Sequence, residues 1–138
     1  ASISDLPGIE IESTGFSLEG SRGWRLEESF AQGPDDAFIV DSAEFGHLHV
    51  PADGSMHMLL PIDLSSVARE KGWGILHPLS DYAGLSGENS DYVMIYGPRD
   101  EDELTSIWII TQISYYYARG VSMGAGNSTA ITPANWGW

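Results

Sequence analysis

The stretch Glu44-Phe45-Gly46-His47-Leu48-His49-Val50-Pro51-Ala52-Asp53-Gly54-Ser55-Met56-His57-Met58-Leu59-Leu60 decides how the chain is read. Two runs rich in apolar residues flank Pro51-Ala52-Asp53-Gly54, whose composition suits a turn, so the segment predicts a β-hairpin. On a strand, residues i and i+2 share a face, and His47 and His49 therefore project together. The turn then fixes the place of His57. A two-residue Asp53-Gly54 loop would set His57 across from Val50, on the face opposite His49. A three-residue Ala52-Asp53-Gly54 loop, with Gly54 in the left-handed region, sets it directly across from His49. That register gathers His47, His49 and His57 on one face.

Outward from the hairpin, the other elements follow from local pattern. Residues 1–34 predict one or two short strands joined by loops, around Ile9 to Glu12 and around Trp24 to Phe30. Asp36 to Val40 reads as a short apolar strand. Asp63 to Lys71 reads as a helix, with Asp63 as cap, Leu64, Val67 and Ala68 at helical spacing, and Gly72 as stop. Tyr92 to Tyr96, β-branched and aromatic, predicts a strand. The last helix opens at Asp100, with Glu103 at capping-box spacing, and closes at Gly120. Its expected buried stripe is Leu104, Ile107, Trp108, Thr111, Tyr115 and Ala118. The class is therefore α+β: an antiparallel sheet of about four to six strands with two helices on one face. All 138 residues read as one domain, ending in an irregular tail over 121–138 in which Trp136 and Trp138 would cover an apolar surface.

Composition narrows the partners. Six Lys and Arg stand against 20 Asp and Glu, a formal net charge of -14, and such a surface repels nucleic acid and anionic lipid heads. No apolar run is long enough to span a bilayer. The absence of cysteine removes disulfides, thiolate nucleophiles, zinc ribbons and iron-sulfur clusters together. Asn127-Ser128-Thr129 is a glycosylation acceptor, which with the acidic surface is compatible with an extracellular location, as is a cytoplasmic one with the rest.

The four histidines, His47, His49, His57 and His77, all lie within one short span. Three neutral imidazoles on one face suit zinc, copper, iron or nickel. His77 reads as a fourth ligand, a general base, or a residue of the turn before Pro78. Three readings stand side by side: a bound metal, a metal-free catalytic or ligand-binding cluster, and a purely structural group. In Tyr96-Gly97-Pro98-Arg99-Asp100, Arg99 is either an anchor for an enolate or carboxylate, or the ion-pair partner of Asp100, Glu101 or Asp102. Trp73, in Lys71-Gly72-Trp73-Gly74, lines an aromatic pocket or belongs to the core. There is no P-loop, Rossmann fingerprint or Gly-x-Ser-x-Gly elbow.

The residues from about Ala43 to Gly120 resemble the fungal luciferase domain family, found in fungi and bacteria, most of them non-luminous. The resemblance is carried by Glu44-Phe45-Gly46-His47-Leu48-His49, Asp53-Gly54-Ser55-Met56-His57-Met58, Lys71-Gly72-Trp73-Gly74, His77-Pro78-Leu79 and Tyr96-Gly97-Pro98-Arg99-Asp100-Glu101. It implies an oxygenase-type enzyme that joins molecular oxygen to a small aromatic or hydroxypyrone-like enol, through a peroxide that closes and loses carbon dioxide. All four histidines fall on its motifs. In that reading His47, His49 and His57 bind metal or substrate and His77 is base or fourth ligand, with Arg99 or Tyr96 steadying the anion and Trp73 lining the site. The competing reading is a secreted, non-catalytic module that sequesters a metal or small aromatic ligand. A third is a metal-free hydrolase or isomerase using His77.

Overall fold

The computed structural model describes residues 2–50, 52–81 and 85–121. Six antiparallel strands form one sheet in the order β1-β2-β3-β4-β6-β5. They are β1 (Ile9–Ser13), β2 (Arg22–Leu26), β3 (Glu44–Leu48), β4 (Met56–Pro61), β5 (Gly74–Leu76) and β6 (Ser90–Ile95). Helix α1 (Ile62–Glu70) joins β4 to β5, and α2 (Glu101–Arg119) follows β6. Because β4 and β5 both pair antiparallel to β6, they run parallel to each other, and α1 is the crossover such a pair requires. The expected tail and Asn127 lie outside the described residues.

The alternation along β4 explains the two faces. Met56, Met58 and Leu60 pack with Val93 and Ile95 of β6 in the core that the helices cover, together with Ala68 of α1 and Ile107, Ile110 and Tyr115 of α2. His57 and Leu59 point the other way, where Leu59 joins Ile39 and Tyr92 in a smaller cluster. Each fully buried Leu, Ile or Phe stabilises the fold by about 1.5–3 kcal/mol before entropy is counted. Ser114 Oγ donates to the Leu59 carbonyl at 2.7 Å and ties α2 to the backbone of β4.

Several local expectations are corrected. Asp36 to Val40 is no strand: Asp35–Ala37 form a 3₁₀ turn after Pro34. Asp36 accepts from Tyr117 Oη at 2.6 Å and from the Asn89 N–H at 3.1 Å, which holds its backbone out of the ladder. Val40 and Asp41 then turn at φ 34° and 50°, a tight reversal in which Ser42 N–H donates to Ile39 O. Helix α1 starts from Pro61 without a side-chain cap, so Asp63 sits in its first turn and favours the helix dipole instead. Strand β5 went unforeseen because three residues carry no periodicity. In α2, Asp100 accepts the Glu103 N–H at 2.8 Å as foreseen, but the Glu103 carboxylate reaches past the cap to the Arg99 N–H at 2.8 Å. The buried arc of α2 is wider than its stripe, taking in Ile110, Ile113 and Ser114 and leaving Leu104 exposed, because the helix packs on strands and on the 3₁₀ turn together. Gly120 ends it in the left-handed region, φ 69°.

Candidate functional site

The hairpin places His57 opposite His47, not His49. The connection covers residues 50–54, two longer than the three-residue turn, and His49 N–H donates to Ser55 O at its base. A shift of two positions preserves the face, since side chains alternate with period two. His47, His49 and His57 therefore share one side of the sheet, with potential ligand atoms within 4.8 Å of one another. Gly54 adopts the expected left-handed φ of 71°.

The rings form a continuous patch. Centroids lie 5.3 Å apart for His47 and His49, 5.0 Å for His47 and His57, and 4.3 Å for His49 and His57. His77, beyond β5, donates its backbone N–H to Tyr92 O at 2.9 Å. This brings its ring to 4.7 Å from His57 and 4.6 Å from Tyr92. A tetrahedral zinc site needs nitrogens about 3.4 Å apart, given Zn–N bonds near 2.0–2.1 Å, so atoms within 4.8 Å of one another would have to draw closer to hold an ion.

Three of the four rings have hydrogen-bond partners of their own. The Leu79 N–H donates to His77 Nδ1 at 3.0 Å, so neutral His77 carries its proton on Nε2. His49 contacts Ser17 Oγ through Nε2 at 2.7 Å and Ser55 Oγ through Nδ1 at 3.3 Å. His47 is wholly buried, with Nδ1 2.9 Å from Glu44 Oε1 and Nε2 without a hydrogen-bond partner. Burial and neighbouring imidazoles push His57 down to about 3. Burial, then the charge of neighbouring His, lowers His49 and His77 as well. These three rings are therefore neutral near pH 7, the form that ligates metals. Burial and the Glu44 charge raise the Tyr92 phenol, so it stays protonated.

Sequence reasoning gave Glu44 no role. Three residues apart on a regular strand, Glu44 and His47 would face opposite ways. The β2–β3 ladder is irregular here: Trp24 pairs with Gly46 and Arg25 with Glu44, which makes Phe45 the extra residue of a β-bulge. Phe45 packs between Trp24 and Tyr115 in the core, and the bulge returns Glu44 to the histidine face.

Trp73, Tyr96 and Arg99 are brought together elsewhere. They line a cleft of about 460 Å³ with Lys71, Glu103 and Ile107, and none of the four histidines lines it. Arg99 holds neither a free anchor position nor an ion pair with Asp100, Glu101 or Asp102. Its guanidinium forks onto Glu103, with Nε 2.9 Å from Oε1.

Residues 42–114, over half of the chain, match the sequence profile of the luciferase domain family. The chain belongs to that family. Among luciferase-domain relatives, it is similar to the luciferases of Armillaria gallica and Armillaria mellea, 34% identical over 74 residues. It is 31% identical over 74 residues to the luciferase of Neonothopanus nambi. Each alignment covers 54% of this chain and 27% of the relative, so the shared part is about a quarter of those luciferases. No solved structure matches. The luciferase-domain match contains all four histidines and Glu44, whereas β1, β2 and Thr14, Ser17 and Gly23 precede it. No helix among the described residues is long and apolar enough to cross a membrane.

Proposed function

We propose that this luciferase-domain chain is an oxygenase-type enzyme acting on a small aromatic or hydroxypyrone-like enol at the face formed by His47, His49, His57 and His77. The observation that carries this reading is a patch of four touching imidazoles on the face of the sheet turned away from both helices, three of them held neutral by burial. The relatives' description as luciferases supports an oxygen-using reaction on a small molecule.

In the first step a lone pair of the cluster takes the enol proton. The enolate gives two electrons to molecular oxygen, a carbon–oxygen bond forms, and the peroxide anion recovers the proton. All atoms of substrate and oxygen are then held in a hydroperoxide. The His77 Nε2–H is a donor, and it suits steadying the enolate oxygen better than removing its proton. Arg99 is engaged by Glu103 in the other cleft, and in this reading the role goes to His77. A first-row transition ion on His47, His49 and His57 would add Lewis acidity at the enol oxygen.

The test is oxygen uptake by purified protein offered hydroxypyrones and catechols, alongside elemental analysis. Uptake far beyond one equivalent, lost in His57→Ala, supports the enzyme. Saturation at one equivalent of ligand without oxygen uptake would sink it and leave a binding module.

A further inference from the structure

We propose that Glu44 is the positioning residue of the triad: its buried carboxylate accepts the Nδ1–H of His47 and leaves Nε2 as a bare lone pair. For its use in catalysis or metal binding this rests on the functional reading above, but the proton's position stands or falls alone.

Three observations converge. The first is Glu44 itself, 2% exposed, with Oε1 2.9 Å from His47 Nδ1 and accepting the Thr14 hydroxyl at 2.7 Å. A carboxylate so buried is retained only when donors satisfy it. The Thr14 hydroxyl oxygen in turn accepts from the Phe16 N–H at 3.1 Å, which helps to fix its position.

The second is the other end of the ring. His47 Nε2 is buried and has no hydrogen-bond partner. A proton there would be a buried N–H without an acceptor, and it would also turn the Nδ1 lone pair against a carboxylate oxygen. An imidazolium would orphan the same N–H. Only the Nδ1–H form avoids both costs. It is also the arrangement in which a carboxylate orients an imidazole for a metal or a substrate proton.

The third is the space that the carboxylate fills. Gly23 pairs directly with His47 across β2 and β3. A Cβ at Gly23 would come within 3.0 Å of Glu44 Oε2 and 3.1 Å of Cδ. The bulge at Phe45 in β3, the bare Gly23 in β2 and the Thr14 hydroxyl just past β1 thus build one niche for one carboxylate, the last two lying outside the matched family region.

The test is ¹⁵N NMR of the histidine rings at pH 7 in metal-free protein, with zinc titration calorimetry on the same samples. In the wild type, His47 should show a protonated Nδ1 and a bare Nε2. Glu44→Gln, of equal size, can donate as well as accept, so the proton should redistribute towards Nε2. Zinc binding should weaken about 10- to 100-fold. Thr14→Val, which keeps Glu44, should give a smaller change in the same direction and serves if Glu44→Gln does not fold. A wild-type His47 protonated on Nε2, or on both nitrogens, overturns the proposal without any variant. Unchanged His47 signals in both variants overturn it too. Redistribution in Glu44→Gln without zinc binding in any sample upholds Glu44 and removes the metal from the functional reading.

Discussion

His57 and His77 meet edge to face, 4.7 Å between ring centroids, although one stands in β4 and the other follows β5. The triad can close without His77, whose Nδ1 is already taken by the Leu79 N–H. His77→Ala should therefore keep any zinc that the triad takes up while losing about 10²- to 10³-fold in turnover, the scale of removing one donor to a developing oxyanion. His57→Ala should lose both. Zinc content and oxygen uptake on the two variants decide it, and loss of zinc in His77→Ala would make His77 a fourth ligand.

Acid should destabilise the metal-free protein through its histidines. His57 has its value lowered from 6.5 to about 3, and His49 and His77 are lowered too. Between those limits the unfolded chain binds protons that the folded one refuses, so stability falls as pH falls below about 6.5. Urea midpoints at pH 7, 6, 5 and 4 should drop steadily. In His57→Ala the drop should be shallower, and an identical slope would contradict the folded-state neutrality of this ring.

Gly74 is the hinge on which β5 and His77 depend. A Cβ there would meet the Met94 carbonyl oxygen at 2.1 Å, and backbone cannot step aside as a side-chain tip can. Gly74→Ala should cost about 1–3 kcal/mol or detach β5 from β6. Hydrogen exchange should show lost protection at His77 N–H while α2 stays protected. Retained protection at both sites would refute the dependence.

Asp100 carries the start of α2. Its side chain accepts the Glu103 N–H at 2.8 Å, and Asp100→Ala should cost about 1 kcal/mol, as N-cap removal usually does. Because Arg99 pairs with Glu103 and not with the cap, Arg99→Ala should cost less, in the range of an exposed pair. Thermal unfolding of the two variants ranks them, and a larger loss in Arg99→Ala would reverse the assignment.

Much of the site was legible from the residues because strand geometry is simple. His47 and His49 had to share a face once β3 was recognised, and His57 joined them through parity even though the connection is two residues longer than a Gly54 turn suggests. What stayed hidden depended on long-range contacts. The bulge at Phe45 is set by β2 and by the pocket between Trp24 and Tyr115, so nothing local announces that Glu44 belongs with His47. His77 reaches the cluster only because β5 pairs with β6, and three residues of β5 say little by themselves. Asp36 to Val40 misled because the apolar side chains look like a strand, while the Asp36 carboxylate is committed to Tyr117 and Asn89.

The alternation of β4 has a consequence for how this protein is handled at the bench. If β4 slipped by one position, His57 would enter the helix-covered core and Met58 would leave it for the histidine face. A buried imidazole without partners costs about 1–3 kcal/mol, and Met58 would lose its place among the core side chains. Misaligned molecules are thus screened out by the same contacts that hold the helices on the sheet. Counting folded molecules therefore also counts assembled sites, and a preparation that is fully folded but only partly active has lost something other than its register.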